Sequence, residues 1–146
     1  MSEADDSISR PSRGEPFSET AGPPFGHQSQ LDFDIAFYDA ILELDPEYID
    51  VLRCQGELLS RKGSHDRALV VDRRLAELLP GDSVVRYNLA CSLAIGGLDA
   101  ESLVVLESAL EAGYDDFDHL AFDTDLDSLR SNTAFHALLR RYATDL

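Results

Sequence analysis

The residues best equipped for chemistry lie near the C-terminal end. Asp123, Asp125 and Asp127 repeat as D-x-D-x-D, the opening pattern of a calcium loop. That loop also needs a sharply turning glycine and a bidentate glutamate. Ser128 and Ala134 stand at those places, so the acids read as helix caps that stay solvated. His27, His65, His119 and His136 are scattered. His119 sits four residues from both Asp115 and Asp123, which gives one histidine among carboxylates and falls short of a metal-ligating set. Cys54 and Cys91 form no CxxC pair, and no nucleophile elbow, phosphate loop or H-E-x-x-H stretch occurs. The expectation is a protein without catalysis, metal or cofactor.

Charge narrows the partners. The 146 residues carry 12 Lys and Arg against 28 Asp and Glu, a net charge of −16. Such a chain repels nucleic-acid phosphates and anionic membrane surfaces. Its acidity serves solubility, or fits a basic partner. From Arg53 to Arg74 the balance reverses, with six bases and three acids. This stretch reads as a solvated outer face with ion pairs along the helix. The alternative is contact with the acidic C-terminal segment of another copy. No run of ~18 apolar residues occurs, and the acidic start is not a signal peptide. Two cysteines without an export signal read as reduced core residues, and a cytoplasmic location is expected.

Elements follow from the breakers. Ser, Gly and Pro supply 12 of residues 1–28, which read as a disordered tail. Order begins at Ser29, which with Asp32 forms a weak capping box, and a helix runs to about Glu43. Asp45-Pro46 should cap and start a helix to Lys62, closed by Gly63. Ser64 should cap a helix to Leu79, and Asp82 one to Ile95. After Gly96-Gly97 a helix runs from Asp99 to Ala112. A short helix (117–122), a turn (126–130) and a last helix (132–142) complete the chain, with Phe117, Phe122 and Leu138 on their apolar side.

One repeated spacing underlies this order. Pro46 recurs as Pro80, Gly63 as Gly97, Leu59 as Leu93, and Gly56 as Ala90, all at the same offset. That period, about 34 residues, suits a unit of two helices and a turn. Gly56, Leu59, Gly63, Ala68 and Pro80 in one copy resemble the tetratricopeptide repeat, as do Tyr87-Asn88-Leu89-Ala90, Leu93 and Gly97 in the next. The usual first-position tryptophan is absent; Leu52 and Arg86 stand there. The resemblance implies an all-α, right-handed array of stacked helical hairpins. Residues 29–45 would be a half repeat, 46–79 and 80–113 full repeats, and 114–146 a capping unit in which the period weakens.

The resemblance also implies a function, as a non-enzymatic scaffold whose first helices line a groove for a peptide or helix. By position the groove takes Asp50, Arg53, Glu57 and Ser60, then Val84, Tyr87, Asn88, Cys91 and Ala94. Arg53, Glu57, Val84, Tyr87, Asn88 and Cys91 are the expected partner contacts. Asp118 and Phe122 stand where a carboxylate clamp of this family would need cations, so that clamp is not expected. A competing expectation has the C-terminal unit packing into a short groove. The alternative function is a dimeric accessory or chaperone-like subunit. The helix from Leu31 to Leu44 is apolar nearly all round, and Phe33, Phe37 and Ile41 would form its pairing face. Phe17 or Phe25 of the tail, the C-terminal part, or a second chain could cover it.

Overall fold

The computed structural model describes residues 29–143. The expectations for residues 1–28, including docking of Phe17 or Phe25, lie outside the described residues. Among those described, seven α-helices and one 3-10 helix follow one another with no strand. They are α1 (Gln30–Leu44), α2 (Ile49–Lys62), α3 (His65–Leu78), α4 (Ser83–Ile95), α5 (Asp99–Glu111), α6 (Phe117–Phe122), the 3-10 helix (Thr124–Leu129) and α7 (Thr133–Tyr142).

Local chemistry sets most boundaries. Ser29 Oγ accepts the Asp32 N–H at 3.1 Å, as a cap should. Gly63 adopts φ 81 and turns its N–H back to Leu59 and Ser60, in a left-handed closure that suits glycine. Asp82 accepts the N–H groups of Val84 and Val85, each at 3.0 Å. One helix start and one cap differ from expectation. α2 starts at Ile49, because Asp45-Pro46-Glu47 forms a turn in which Asp45 accepts the Glu47 N–H. Ser64 stands before α3, but its side chain makes no capping bond.

The period outlasts its sequence signal. First helices begin at Ile49, Ser83 and Phe117, and second helices at His65, Asp99 and Thr133. Both series advance by the offset that separates Pro46 from Pro80. Tyr114 replaces the proline without breaking this register. Asp116 takes the place of Asp82, accepting the His119 N–H at 3.0 Å. The C-terminal unit thus keeps the register of a third repeat, with its first helix cut to six residues and continued by the 3-10 helix.

Neighbouring helices pack in sequence order, α1 on α2, α2 on α3, α3 on α4 and α4 on α5, and the 3-10 helix lies on α4. Small residues permit the close approaches. A Cβ on Gly56 would lie 3.3 Å from Val71 Cγ1, and Ala68, Ala90 and Ala109 are buried. Ser102, fully buried, donates to the Ala90 carbonyl at 2.6 Å and so satisfies its hydroxyl. Leu59, Leu75, Leu93, Leu106, Leu126, Leu129 and Phe135 fill the interior.

Three expectations are corrected by this packing. Cys54 is exposed and only Cys91 is a core residue; both are free thiols. Phe122, the last residue of α6, is 83% exposed rather than on the apolar side. The basic stretch is paired mainly across helices rather than along one. Lys62 meets Asp32, Arg67 meets Asp39, Arg73 meets Glu101, and Arg74 meets Glu47 as well as its neighbour Glu77.

Candidate functional site

The faces of α2 and α4, with part of α3 behind them and the C-terminal unit at one end, enclose a groove of about 440 Å³. Helical register explains its lining. Arg53, Glu57 and Ser60 are spaced by four and three residues, so they share one face of α2. On α4, Tyr87 and Asn88 lie four and three residues before Cys91, and all three line the groove. Five of the six expected contacts therefore meet in one groove. Val84 does not join them and lies half exposed elsewhere on α4. Asp50 is exposed outside it, and Ala94 is buried beneath the C-terminal unit.

Arg53 and Asp82 close one edge through a 3.1 Å ion pair. The Asp82 carboxyl is held below its ordinary value, first by the Val85 N–H and then by Arg53. Glu57 and Asn88 are exposed and face the opening.

The other edge belongs to Asp123. Its Oδ1 accepts the Asp125 N–H at 3.0 Å and caps the 3-10 helix. Its Oδ2 accepts the Tyr87 O–H at 2.7 Å, meets the Cys91 thiol at 3.6 Å, and lies 3.2 Å from His119 Nε2. Tyr87 also stacks on Tyr114, with ring centroids 4.1 Å apart. Tyr87 and Cys91 are consequently buried under the C-terminal unit, which packs into this end of the groove. Burial raises the Tyr87 phenol and the Cys91 thiol, and the Asp123 charge pushes both further. Both groups are held in their neutral, proton-bearing forms, suited to donating hydrogen bonds rather than to attack.

Cys91 and the carboxylates of Asp123 and Asp125 have ligand atoms within 4.8 Å of one another, close enough for a shared metal ion. The donor set is already engaged, since Asp123 holds Tyr87 and the Cys91 thiol is driven toward its protonated form. The D-x-D spacing marked Asp123 in the sequence, but its partners on α4 lie 32 and 36 residues away and had no sequence signal.

Asp72 is a second residue that the spacing concealed. It comes from α3, lies half-buried at the back of the groove, and accepts the Ser92 hydroxyl. Burial holds its carboxyl above the ordinary value, against the lowering effect of Ser92.

The apolar stripe of α1 stands apart from this groove. Phe33 and Phe37 are 57% and 56% exposed, and Leu44 90%, while Ile35 is buried in the cluster shared with α2 and α3. Ile41 is partly buried. No helix among the described residues is long and apolar enough to cross a membrane.

No protein-family model matches the chain. A curated relative, a chloroplastic protein of Arabidopsis thaliana, is 32% identical over 91 residues. The match covers 60% of this chain and 27% of that protein, so the chain spans little more than a quarter of its relative.

Proposed function

We propose that the chain is a non-enzymatic scaffold of tetratricopeptide-repeat type that holds a peptide or helix of a partner protein in the groove between α2 and α4. The observation that supports this most is the gathering of Arg53, Glu57, Tyr87, Asn88 and Cys91 from two separate helices into one groove of about 440 Å³. The repeat assignment draws on the even spacing of helix starts through three successive units, and on Gly63 and Gly97 at the same left-handed position. In the groove, the exposed Asn88 amide can both donate to and accept from a peptide backbone. Arg53 offers its remaining donors beside Asp82, and Glu57 accepts a cationic or hydroxyl side chain. Tyr87 and Cys91 form the floor against the C-terminal unit rather than free anchors. The net charge of −16 favours a protein partner over nucleic acid or an anionic membrane. Two free thiols suit a reducing compartment. The cytoplasm is the leading location, and the plastid of the relative is the second.

Proteins captured by the wild-type chain from its source cells, compared with those captured by an Arg53→Ala, Asn88→Ala variant, test the reading. The double variant should keep its helical circular dichroism and lose the captured partner. Undiminished capture would sink the groove as the binding site.

A further inference from the structure

Charge is out of balance within the groove between α2 and α4. Its lining holds one permanent cation, Arg53, and four carboxylates, Glu57, Asp72, Asp123 and Asp125, drawn from α2, α3 and the C-terminal unit. Arg53 is already met by Asp82 at one edge. His119 stands 3.2 Å from Asp123 at the other. Tyr87 and Cys91, held neutral by burial, add no charge. Among the described residues, no Lys or Arg pairs with Glu57, Asp72 or Asp125.

The geometry keeps these acids within reach of an occupant. Asp72 Oδ2 takes the Ser92 hydroxyl, and Oδ1 accepts from no described residue. Gly56 sets no side chain over that oxygen, since a Cβ there would already lie 3.5 Å from it. Asp125 is exposed, and its carboxylate lies within 4.8 Å of the Asp123 carboxylate and the Cys91 sulfur. Glu57 is exposed on the α2 face of the groove. Desolvation raises the carboxyls of Asp72 and Asp125, and the Asp123 charge raises Asp125 further against the pull of His65 and His119. Carboxylates raised in this way lack a counter-charge, and a cation brought beside them favours their ionised form.

The walls of a groove of about 440 Å³ focus the field of these acids inward. A neutral segment would strip water from them and offer no charge in return, and an acidic segment would add repulsion. A lysine or arginine side chain supplies what they lack.

Building on this groove as the binding site, we infer that it selects a partner protein's segment by its basic side chains, whose cationic heads are met by Glu57, Asp72 and Asp125 while Asn88 holds the adjoining backbone.

The probe is a phage-displayed library of random dodecapeptides panned on the full chain. One retained peptide is then labelled and titrated by fluorescence anisotropy. Retained peptides should be rich in lysine and arginine, and exchanging those residues for glutamine should weaken binding by about tenfold or more. Glu57→Gln with Asp125→Asn should cause a similar loss. Glu43→Gln with Glu111→Gln removes the same charge from exposed positions outside the groove. That pair should change binding by less than about twofold, which separates recognition in the groove from attraction to the net charge. Asp72→Asn should weaken the peptide without lowering the thermal midpoint, so unfolding does not account for the loss. Asn88→Trp, at an exposed position on α4, crowds the groove without changing its charge and should abolish binding. Peptides that Asn88→Trp displaces but that show no preference for basic residues would overturn the inference and leave the groove reading standing. Basic peptides indifferent to Asn88→Trp would overturn both. Equal losses from the two charge-removing pairs, or no retained peptide, would also overturn the inference. A full-chain Arg10→Ala, Arg13→Ala variant should bind the peptide as the wild type does. Binding about tenfold tighter would make those arginines the occupant in place of a partner.

Discussion

Asp72 and Asp123 are both half-buried carboxylates, and they differ in the bonds they accept. Asp123 accepts a backbone N–H and the Tyr87 O–H. Asp72 has the Ser92 hydroxyl, and desolvation outweighs that bond. Its folded-state value lies above its ordinary one. Its favourable contribution is therefore complete below the ordinary carboxylate value and lost as pH rises through the raised value. At neutral pH the ionised group works against the fold. Asp72→Asn keeps an acceptor for Ser92 and removes the charge. It should stabilise the protein by about 1 kcal/mol at neutral pH and leave it nearly unchanged at about pH 3, where the wild-type carboxyl is protonated too. Urea midpoints at the two pH values check this.

Among the elements, the C-terminal unit has the least regular backbone, and one side chain stitches it together. Arg130 donates to the Ala121 carbonyl at 2.8 Å, to the Asp123 carbonyl at 2.6 Å and to the Asp127 carboxylate at 2.9 Å. It thereby serves the carbonyls left open where α6 stops. Because α6 has only six residues, its own ladder cannot hold it. Arg130→Ala should cost about 1–2 kcal/mol, discounted for the partial exposure of the guanidinium. Amide exchange should quicken across residues 117–129 more than in α2 or α3. Uniform exchange would show that packing of Leu126 and Leu129 on α4 suffices without the arginine. The regular helices were readable because Gly63, Asp82 and Gly97 act within one turn. α2 was misplaced because Asp45-Pro46 can both cap a helix and form a turn, and local chemistry alone does not choose between them.

At the scale of the whole molecule, the charge of −16 is distributed unevenly. Much of the basic stretch on α2 and α3 is used to tie α1, α2 and α5 to their neighbours. Arg73 holds both oxygens of Glu101, at 2.6 and 3.0 Å, and Arg74 reaches Glu47 at 2.7 Å. These pairs are substantially exposed and each contributes little, whereas the surplus of acids repels over longer distances. Raising salt from about 0.01 M to about 0.1 M shortens the screening length from about 30 Å to about 10 Å. The thermal midpoint should therefore rise by a few degrees. A fall would mean that the cross-helix pairs outweigh the general repulsion.

The sequence by itself determined the helical hairpins, their repeating register and most of the residues on the groove-facing sides. Those follow from local rules, since turn glycines, caps and helical spacing act within a few residues of chain. Only the tertiary structure decided which of those side chains stay open. Tyr87 and Cys91 carry the right spacing, yet Asp123 covers them from 36 and 32 residues away. The exposure of Phe33 and Phe37 on α1, beside the buried Ile35, was likewise not written in the helical spacing. Coverage depends on contacts between distant segments, and periodicity within one helix carries no record of what packs against it.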